Sequence, residues 1–393
     1  AFLIIFAGIA LFQLTELRYI WGITGVSRFY NIFFVLIFSI YIIFNIYTKR
    51  LNSNVWFYYM LPGILIFSGY FINLTMNTLR EQSLAIHYGS LVPWLTYLAV
   101  PFLLKDNIIN AKSLLRYYYY LTLLIATLGL LDYFLYFNGF INLQALDHPQ
   151  GRFLTGWFSI FHMLEEGVAY YRFYASMGEP GNLAMILLPS VIYSIIYKRY
   201  LGVFIFIFSI YLSASLGGFI GIGMAIFLLL IVFFRISYFL FFVSIFSLIL
   251  ILSVVLSNWN KIYSVYEEKG NSRITRELNV VNSIKNLPSI LINNPLGINF
   301  SINYSENTSE DYYGSNFMPL NAIYKGGIFA GIGYIIIINI FFLTATSCFF
   351  RKKRSREDIT SSLSIIVILP FIVQRHALLE TSMLILVLTP FII

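Results

Sequence analysis

What most constrains this chain is a series of apolar runs, nearly free of charge, divided by short turns that carry Lys and Arg. A membrane-spanning helix needs about 20 consecutive, predominantly apolar residues. Runs of this kind lie at 1–14, 29–47, 55–74, 88–104, 117–137, 182–197, 201–216, 218–234, 236–256, 318–348, 360–374 and 378–393. They do not alternate with the period of two that a barrel strand requires, so they read as helices. Hydrophobic residues make up 59% of the 393, and charged residues only 11%, where a soluble domain carries roughly 25% charged residues. No polar shell of that size covers so large an apolar mass. The expected fold class is therefore all-α, a polytopic membrane protein of about twelve transmembrane helices. A soluble enzyme, a nucleic-acid-binding domain and a disordered scaffold are excluded.

The opening run is too short for a complete span. The chain starts at Ala1 rather than Met, and both ends lie inside apolar stretches, so it reads as trimmed at both ends. Between 201 and 256 the polar punctuation is sparse: Ser213, Ser215, Gly217, Gly218, Gly221, Gly223 and Arg235. Small residues at this spacing let two helices approach closely. The single cysteine, Cys348, leaves no intrachain disulfide.

The net charge of +8 is read first as membrane topology and anionic headgroups, not as nucleic-acid binding. With twelve helices, five basic groups fall on one face: Lys49–Arg50, Lys105/Lys112/Arg116, Lys198–Arg199, Arg235, and Arg351 to Arg356. That face is expected to be cytoplasmic. The opposite face receives the two long polar insertions. The expected organisation is N-terminal helices over 1–137, a first large outer loop over 138–181, central helices over 182–257, a second large outer loop over 258–317, and C-terminal helices over 318–393. Loops this long usually carry function.

The first loop holds Arg152, His162, Glu165, Glu166, Arg172 and Glu179, and then Pro180-Gly181-Asn182 opens a helix. Free N–H groups at a helix start near Asn182 suit an anion such as phosphate, with Arg172 ten residues ahead. An ordinary helix start and a headgroup anchor would use the same residues. In the second loop, Ile274, Leu278, Val281, Ile284 and Leu287 recur every three or four residues, predicting an amphipathic helix along the membrane interface. Arg273 and Arg276 border its stripe, three residues apart, and guanidinium forks bind phosphate oxygens in two-point fashion. Snorkelling to anionic headgroups is the ordinary alternative. Asn293 to Gly297 reads as a turn that ends the helix, and Glu306–Tyr313 as an acidic, tyrosine-bearing tip. Arg80, His87 and the pair Arg375–His376 also fall on the outer side. Arg375 and His376 are costly if they face lipid, so they are expected to face the bundle.

The sequence contains no P-loop, no D-x-D, no H-E-x-x-H and no Cys/His cluster, so neither a metal nor a cofactor is expected. An enzyme built this way takes an anionic substrate already present in the outer leaflet.

Several segments, in this order, carry a resemblance. They are R-x-x-x-x-x-G-E-P-G-N from Arg172 to Asn182, N-P-L-G at Asn294–Gly297, Asn316 with Pro319-Leu320, and Lys325-Gly326-Gly327-Ile328-Phe329-Ala330-Gly331-Ile332-Gly333. Together with two large outer loops on about twelve helices, they resemble the bacterial O-antigen polymerase (Wzy) and O-antigen ligase (WaaL) superfamily. The resemblance covers most of the chain from about 150 onward. It implies a metal-independent, GT-C-type glycosyltransferase of the inner membrane whose donor is a glycan on undecaprenyl pyrophosphate. Polymerase members extend the glycan on a newly flipped lipid-linked repeat unit, and a chain-length regulator protein is an expected partner. Ligase members pass the polymer to lipid A-core and typically carry a histidine where this chain has Ser315-Asn316, which favours polymerase.

In that chemistry Arg172, Arg273 and Arg276 would neutralise charge developing on the pyrophosphate, with Glu179 as general base. Arg152, Asn182, Asn316, Arg80, Arg375 and His376 would contact pyrophosphate or glycan. A lipid-linked oligosaccharide flippase is the competing class, and it would be expected to place charges and broken helices near the bilayer midplane.

Overall fold

The structure is a computed structural model. It describes residues 17–20, 54–78, 111–148, 151–162, 172–177, 179–213, 215–234, 270–297, 318–350 and 354–374, with a few isolated positions besides. Among these the chain is mostly helical. In chain order the helices are α1 (Leu17–Ile20), α2 (Asn54–Thr78), α3 (Ala111–Phe137), α4 (Pro180–Ile196), α5 (Tyr200–Leu212), α6 (Leu216–Phe234), α7 (Gly270–Asn293), α8 (Met318–Phe350) and α9 (Arg356–Gln374). Two stretches, Lys112–Phe137 and Met318–Ser347, are long and apolar enough to cross a membrane. The expected runs at 1–14, 29–47, 88–104, 236–256 and 378–393 lie wholly or almost wholly outside the described residues.

Helix α4 is the hub. It is apolar on every side and buried from Leu183 to Ser194, as a helix enclosed by neighbours must be. Helices α3, α5, α6 and α9 pack around it. Its few polar atoms are satisfied within the bundle. The Tyr118 hydroxyl donates to the Ile186 carbonyl at 2.8 Å, and Thr122 and Ser190 pair at 2.6 Å. The runs 201–216 and 218–234 form two helices, α5 ending at Leu212 and α6 starting at Leu216. Helix α9 opens with a reciprocal cap. The Ser355 N–H donates to the Asp358 carboxylate at 2.9 Å, and the Asp358 N–H donates to the Ser355 hydroxyl at 3.0 Å.

A second interface joins α2 to α8, and α8 in turn packs on α9. A Cβ on Gly69 would strike the Gly326 carbonyl and lie 3.0 Å from the Ala330 nitrogen, and a Cβ on Gly333 would lie 2.7 Å from the Pro62 carbonyl. Only small residues let two backbones run this close.

The predominantly helical class holds, with one addition: the first loop contains four antiparallel strands in the order β1 (Gln144–His148), β2 (Gly151–Thr155), β3 (Ile160–His162) and β4 (Arg172–Phe173). The physical reason is local. Gln144 pairs with Thr155 and His148 with Gly151 in an antiparallel register, and the next pairings bury Ile160, Phe161 and Phe173 almost completely. Aromatic and β-branched residues next to turn residues favour this arrangement over a coil.

The connections fix two ends of the bundle. At one end lie Lys112 and Arg116 of α3, the Tyr197–Arg199 turn after α4, and the start of α9. Lys112 reaches Glu357 at 3.9 Å. At the other end α3 runs into the sheet, and the sheet runs into α4. Helix α8 ends beside the start of α9, so its first residues belong to the sheet end, as does α7, which packs on them.

Candidate functional site

The sheet is fastened to the bundle by Asp132, which is fully buried near the end of α3. One carboxylate oxygen accepts from the Phe158 N–H at 2.6 Å, the Ser159 N–H at 2.9 Å and the Ser159 hydroxyl at 2.8 Å. Three donors on one oxygen compensate the burial of a charge. The other oxygen has no partner among the described residues. A few residues along the same helix, Gly129 leaves room for Ala175, whose Cβ would sit 2.6 Å from one added there. Ala175 itself has a positive φ of 48°. The segment following β4 is thus pressed against α3 before it enters α4.

That entry is where the sequence places Glu179 and Asn182. Glu179 is the extended residue before α4, half-buried, and its side chain makes no capping bond. Its carbonyl accepts from the N–H groups of Asn182 at 3.1 Å and Leu183 at 3.2 Å. Pro180 has no N–H, so Gly181 is the remaining first-turn donor. The helix start therefore offers an anion fewer free donors than the three or four of an uncapped terminus. Of the N–H groups expected to be free near Asn182, the one on Asn182 itself is bonded to the Glu179 carbonyl.

The second loop contributes a different device. Helix α8 is broken at Gly327, where φ is 68° and ψ is −168°, a region open essentially to glycine alone. The break frees backbone groups, and two partners satisfy them. The Ile328 N–H donates to the Pro295 carbonyl at 3.0 Å, and the Asn73 amide of α2 donates to the Lys325 carbonyl at 2.6 Å. Pro295 belongs to the turn Asn294–Gly297, closed by the Gly297 N–H on the Asn294 carbonyl at 2.9 Å. Gly297, with φ of 99°, stands against Asn73, Tyr324 and Gly327. Two motifs some thirty residues apart, N-P-L-G and K-G-G, are each other's packing partners.

Helix α7 is held by the same first turns of α8. The Tyr324 hydroxyl donates to the Ser283 carbonyl at 2.7 Å, while Leu287 and Ile290 pack against Leu320 and Tyr324. The predicted stripe divides on this geometry. Leu287 turns to the protein, whereas Val281 and Ile284 are exposed, as is Ile292 a few residues on. The Ser283 hydroxyl is buried and has no partner among the described residues.

The structure distributes the predicted arginines over separate supports. Backbone register sets Arg152 opposite Asp147 and Arg172 opposite His162. Strand β4 rests beside α5, whereas Arg273 and Arg276 belong to the early turns of α7, the helix carried by α8. Arg276 is seven residues before Ser283 and shares its helical face. The side chains of Arg152, Arg172, Arg273 and Arg276 lie outside the described residues, as do Arg80, Asn316, Arg375 and His376 altogether.

Three residues that organise this end escaped the sequence reading: Asp132, Asn73 and Tyr324. A signal existed for the first, since Asp132 is the one acid in the run 117–137, and an ionisable residue in such a run asks for a partner. No known protein family, curated protein or solved structure matches the chain.

Proposed function

We propose that this protein is an O-antigen polymerase-type glycosyltransferase, joining undecaprenyl-pyrophosphate-linked oligosaccharide repeat units into polysaccharide at the periplasmic face of the inner membrane. The observation that supports this reading is the presence of two loop-borne devices at the same end of the bundle. One is the Asn294–Gly297 turn seated on the Gly327 break, and the other is the Arg172–Asn182 segment leading from β4 into α4. Six described Lys and Arg residues lie at the opposite end, and the positive-inside tendency assigns that end to the cytoplasm and the loop end to the periplasm in this reading.

Depth supports a surface reaction. From Phe350 to Gly327 is 23 residues, about 35 Å of helix, which exceeds a hydrocarbon thickness of about 30 Å. That length of helix before the break favours a position toward the outer boundary, whereas a flippase would be expected to carry its broken helices at the midplane.

In this mechanism the donor's pyrophosphate is the leaving group, and Arg172, Arg273 and Arg276 neutralise the charge that develops on it. Glu179 orients or deprotonates the acceptor hydroxyl. The bond from the glycan's anomeric carbon to the pyrophosphate oxygen breaks, the bond to the acceptor oxygen forms, and the hydroxyl proton leaves with the base.

The test is reconstitution with a lipid-linked repeat, together with a silver-stained lipopolysaccharide gel from a deletion strain. Ladders of polymer in vitro and single-repeat capping in the deletion strain are expected. Unsubstituted core would indicate a ligase instead, and leaflet transfer without chain extension a flippase. Arg172→Ala, Arg273→Ala and Arg276→Ala are each expected to stop extension while the protein still inserts. Full-length polymer from all three overturns the mechanism.

A further inference from the structure

The end of the bundle remote from the loops carries a column of tyrosines. Tyr119 stacks on Tyr193 with ring centroids 5.0 Å apart, and Tyr193 stacks on Tyr197 at 4.3 Å. Three different elements deliver cations to it. Arg116 of α3 lies within hydrogen-bonding reach of the Tyr193 hydroxyl, Arg199 acts on both Tyr119 and Tyr193, and Arg356 of α9 lies near Tyr197. Lys112, Lys198 and Arg354 bring the described cations of this end to six, against the carboxylates of Glu357 and Asp358. Asp358 is committed to capping α9. Glu357 faces Tyr197, and burial together with that facing carboxylate holds the Tyr197 phenol above its usual range. Among the described residues the positive charge at this end exceeds the negative, and the exposed Arg116 and Arg199 both act on Tyr193, an arrangement suited to an anion.

The neighbouring surface says which kind of anion. Tyr120, Tyr200, Leu201 and Phe204 are exposed on α3 and α5, the last three by two-thirds or more. Gly202 lets α5 close against the Tyr119 hydroxyl, where a Cβ would sit 2.6 Å away. Cations and a large apolar apron thus share one edge of the bundle. A soluble anion would use the guanidinium groups and leave the apron bare, whereas a phospholipid uses both. We propose that this edge is a specific site for an anionic phospholipid, its phosphate gripped between Arg116 and Arg199 and its acyl chains laid along Tyr120, Tyr200, Leu201 and Phe204. Basic pockets between membrane helices hold anionic headgroups in this way, and guanidinium forks match phosphate oxygens better than ammonium groups do. The site is independent of the transferase reading, which concerns the other end.

The test uses the full chain in nanodiscs of phosphatidylcholine with or without phosphatidylglycerol, counting retained lipids by native mass spectrometry. Wild-type protein is expected to retain phosphatidylglycerol in preference to phosphatidylcholine. R116A/R199A is expected to lower that retention by roughly tenfold or more, R116K/R199K to keep part of it, and Lys285→Ala at the opposite end to leave it unchanged. If R116A/R199A fails to insert, Tyr200→Ser with Phe204→Ser reads the same site, with a several-fold loss expected. Equal retention of the two lipids by wild type, retention of phosphatidylglycerol by R116A/R199A at the wild-type level, or equal stabilisation by inorganic phosphate alone would each overturn the proposal.

Discussion

A methyl group on Gly327 would run into the carbonyl of Pro295 and lie 2.6 Å from the carbonyl carbon of Leu296. It would also have to adopt backbone angles that cost a side-chain-bearing residue about 1–3 kcal/mol. Gly327→Ala is therefore expected to unseat the Asn294–Gly297 turn while leaving α8 inserted. Hydrogen exchange checks this directly, because the Ile328 amide loses its acceptor and exchanges faster in the variant, while amides of α4 are unchanged. An unchanged Ile328 amide would mean that the turn does not depend on the break. From the sequence, N-P-L-G and K-G-G were legible only as members of a family-like pattern. Their physical relation was not, because it is a long-range contact between a turn and a helix interior, and neither spacing nor periodicity encodes that. Asn73 was invisible for the same reason, as a lone amide whose acceptor, the Lys325 carbonyl, lies 252 positions away.

The helices were the legible elements. The run 318–348 matches Met318–Phe350 almost end to end, and 182–197 matches Pro180–Ile196. The run 117–137 falls short because α3 begins at Ala111. Hydropathy fades at Lys112 and Arg116, but the backbone has no reason to stop there, since long basic side chains reach the surface from a continuing helix. The sheet was not legible. Its strands hold five, five, three and two residues, and the last two are too short for any alternation to register. What holds it in place is Asp132 rather than strand length. Asp132→Ala would leave the Phe158 and Ser159 N–H groups without their acceptor and is expected to cost about 3 kcal/mol. Limited proteolysis should then cut within 144–162 well before the helices. Asp132→Asn, which keeps an acceptor there, should fall between that variant and wild type. Resistance of the alanine variant equal to wild type would show that the sheet is held by other contacts.

At the scale of the whole molecule, the gathering of three of the basic groups at one end was readable, while Lys49–Arg50 and Arg235 lie outside the described residues. Lys112, Arg116, Lys198, Arg199, Arg354 and Arg356 gather at one end, while β1–β4 and α7 gather at the other. Charge placement records topology because each turn must stay in water on its own side. That Arg172 stands on a strand beside α5 while Arg273 and Arg276 stand on the helix carried by α8 was not readable, since it depends on which elements pack together.

One consequence of the seated turn concerns the covalent continuity of the chain. The stretch 298–317 leaves from Gly297, which is packed against Gly327, and returns at Met318, the first residue of α8. Both of its attachment points are gripped by the folded body, so the peptide bonds inside it are dispensable for holding the pieces together. Coexpressed fragments 1–305 and 306–393, each made as a separate polypeptide, are expected to copurify as one particle, joined through α2, α4, α8 and α9. Failure to copurify would mean that the α2–α8 and α4–α9 interfaces do not suffice without the tether. If the particle forms, reporter domains or affinity tags can be spliced at that point without dismantling the assembly.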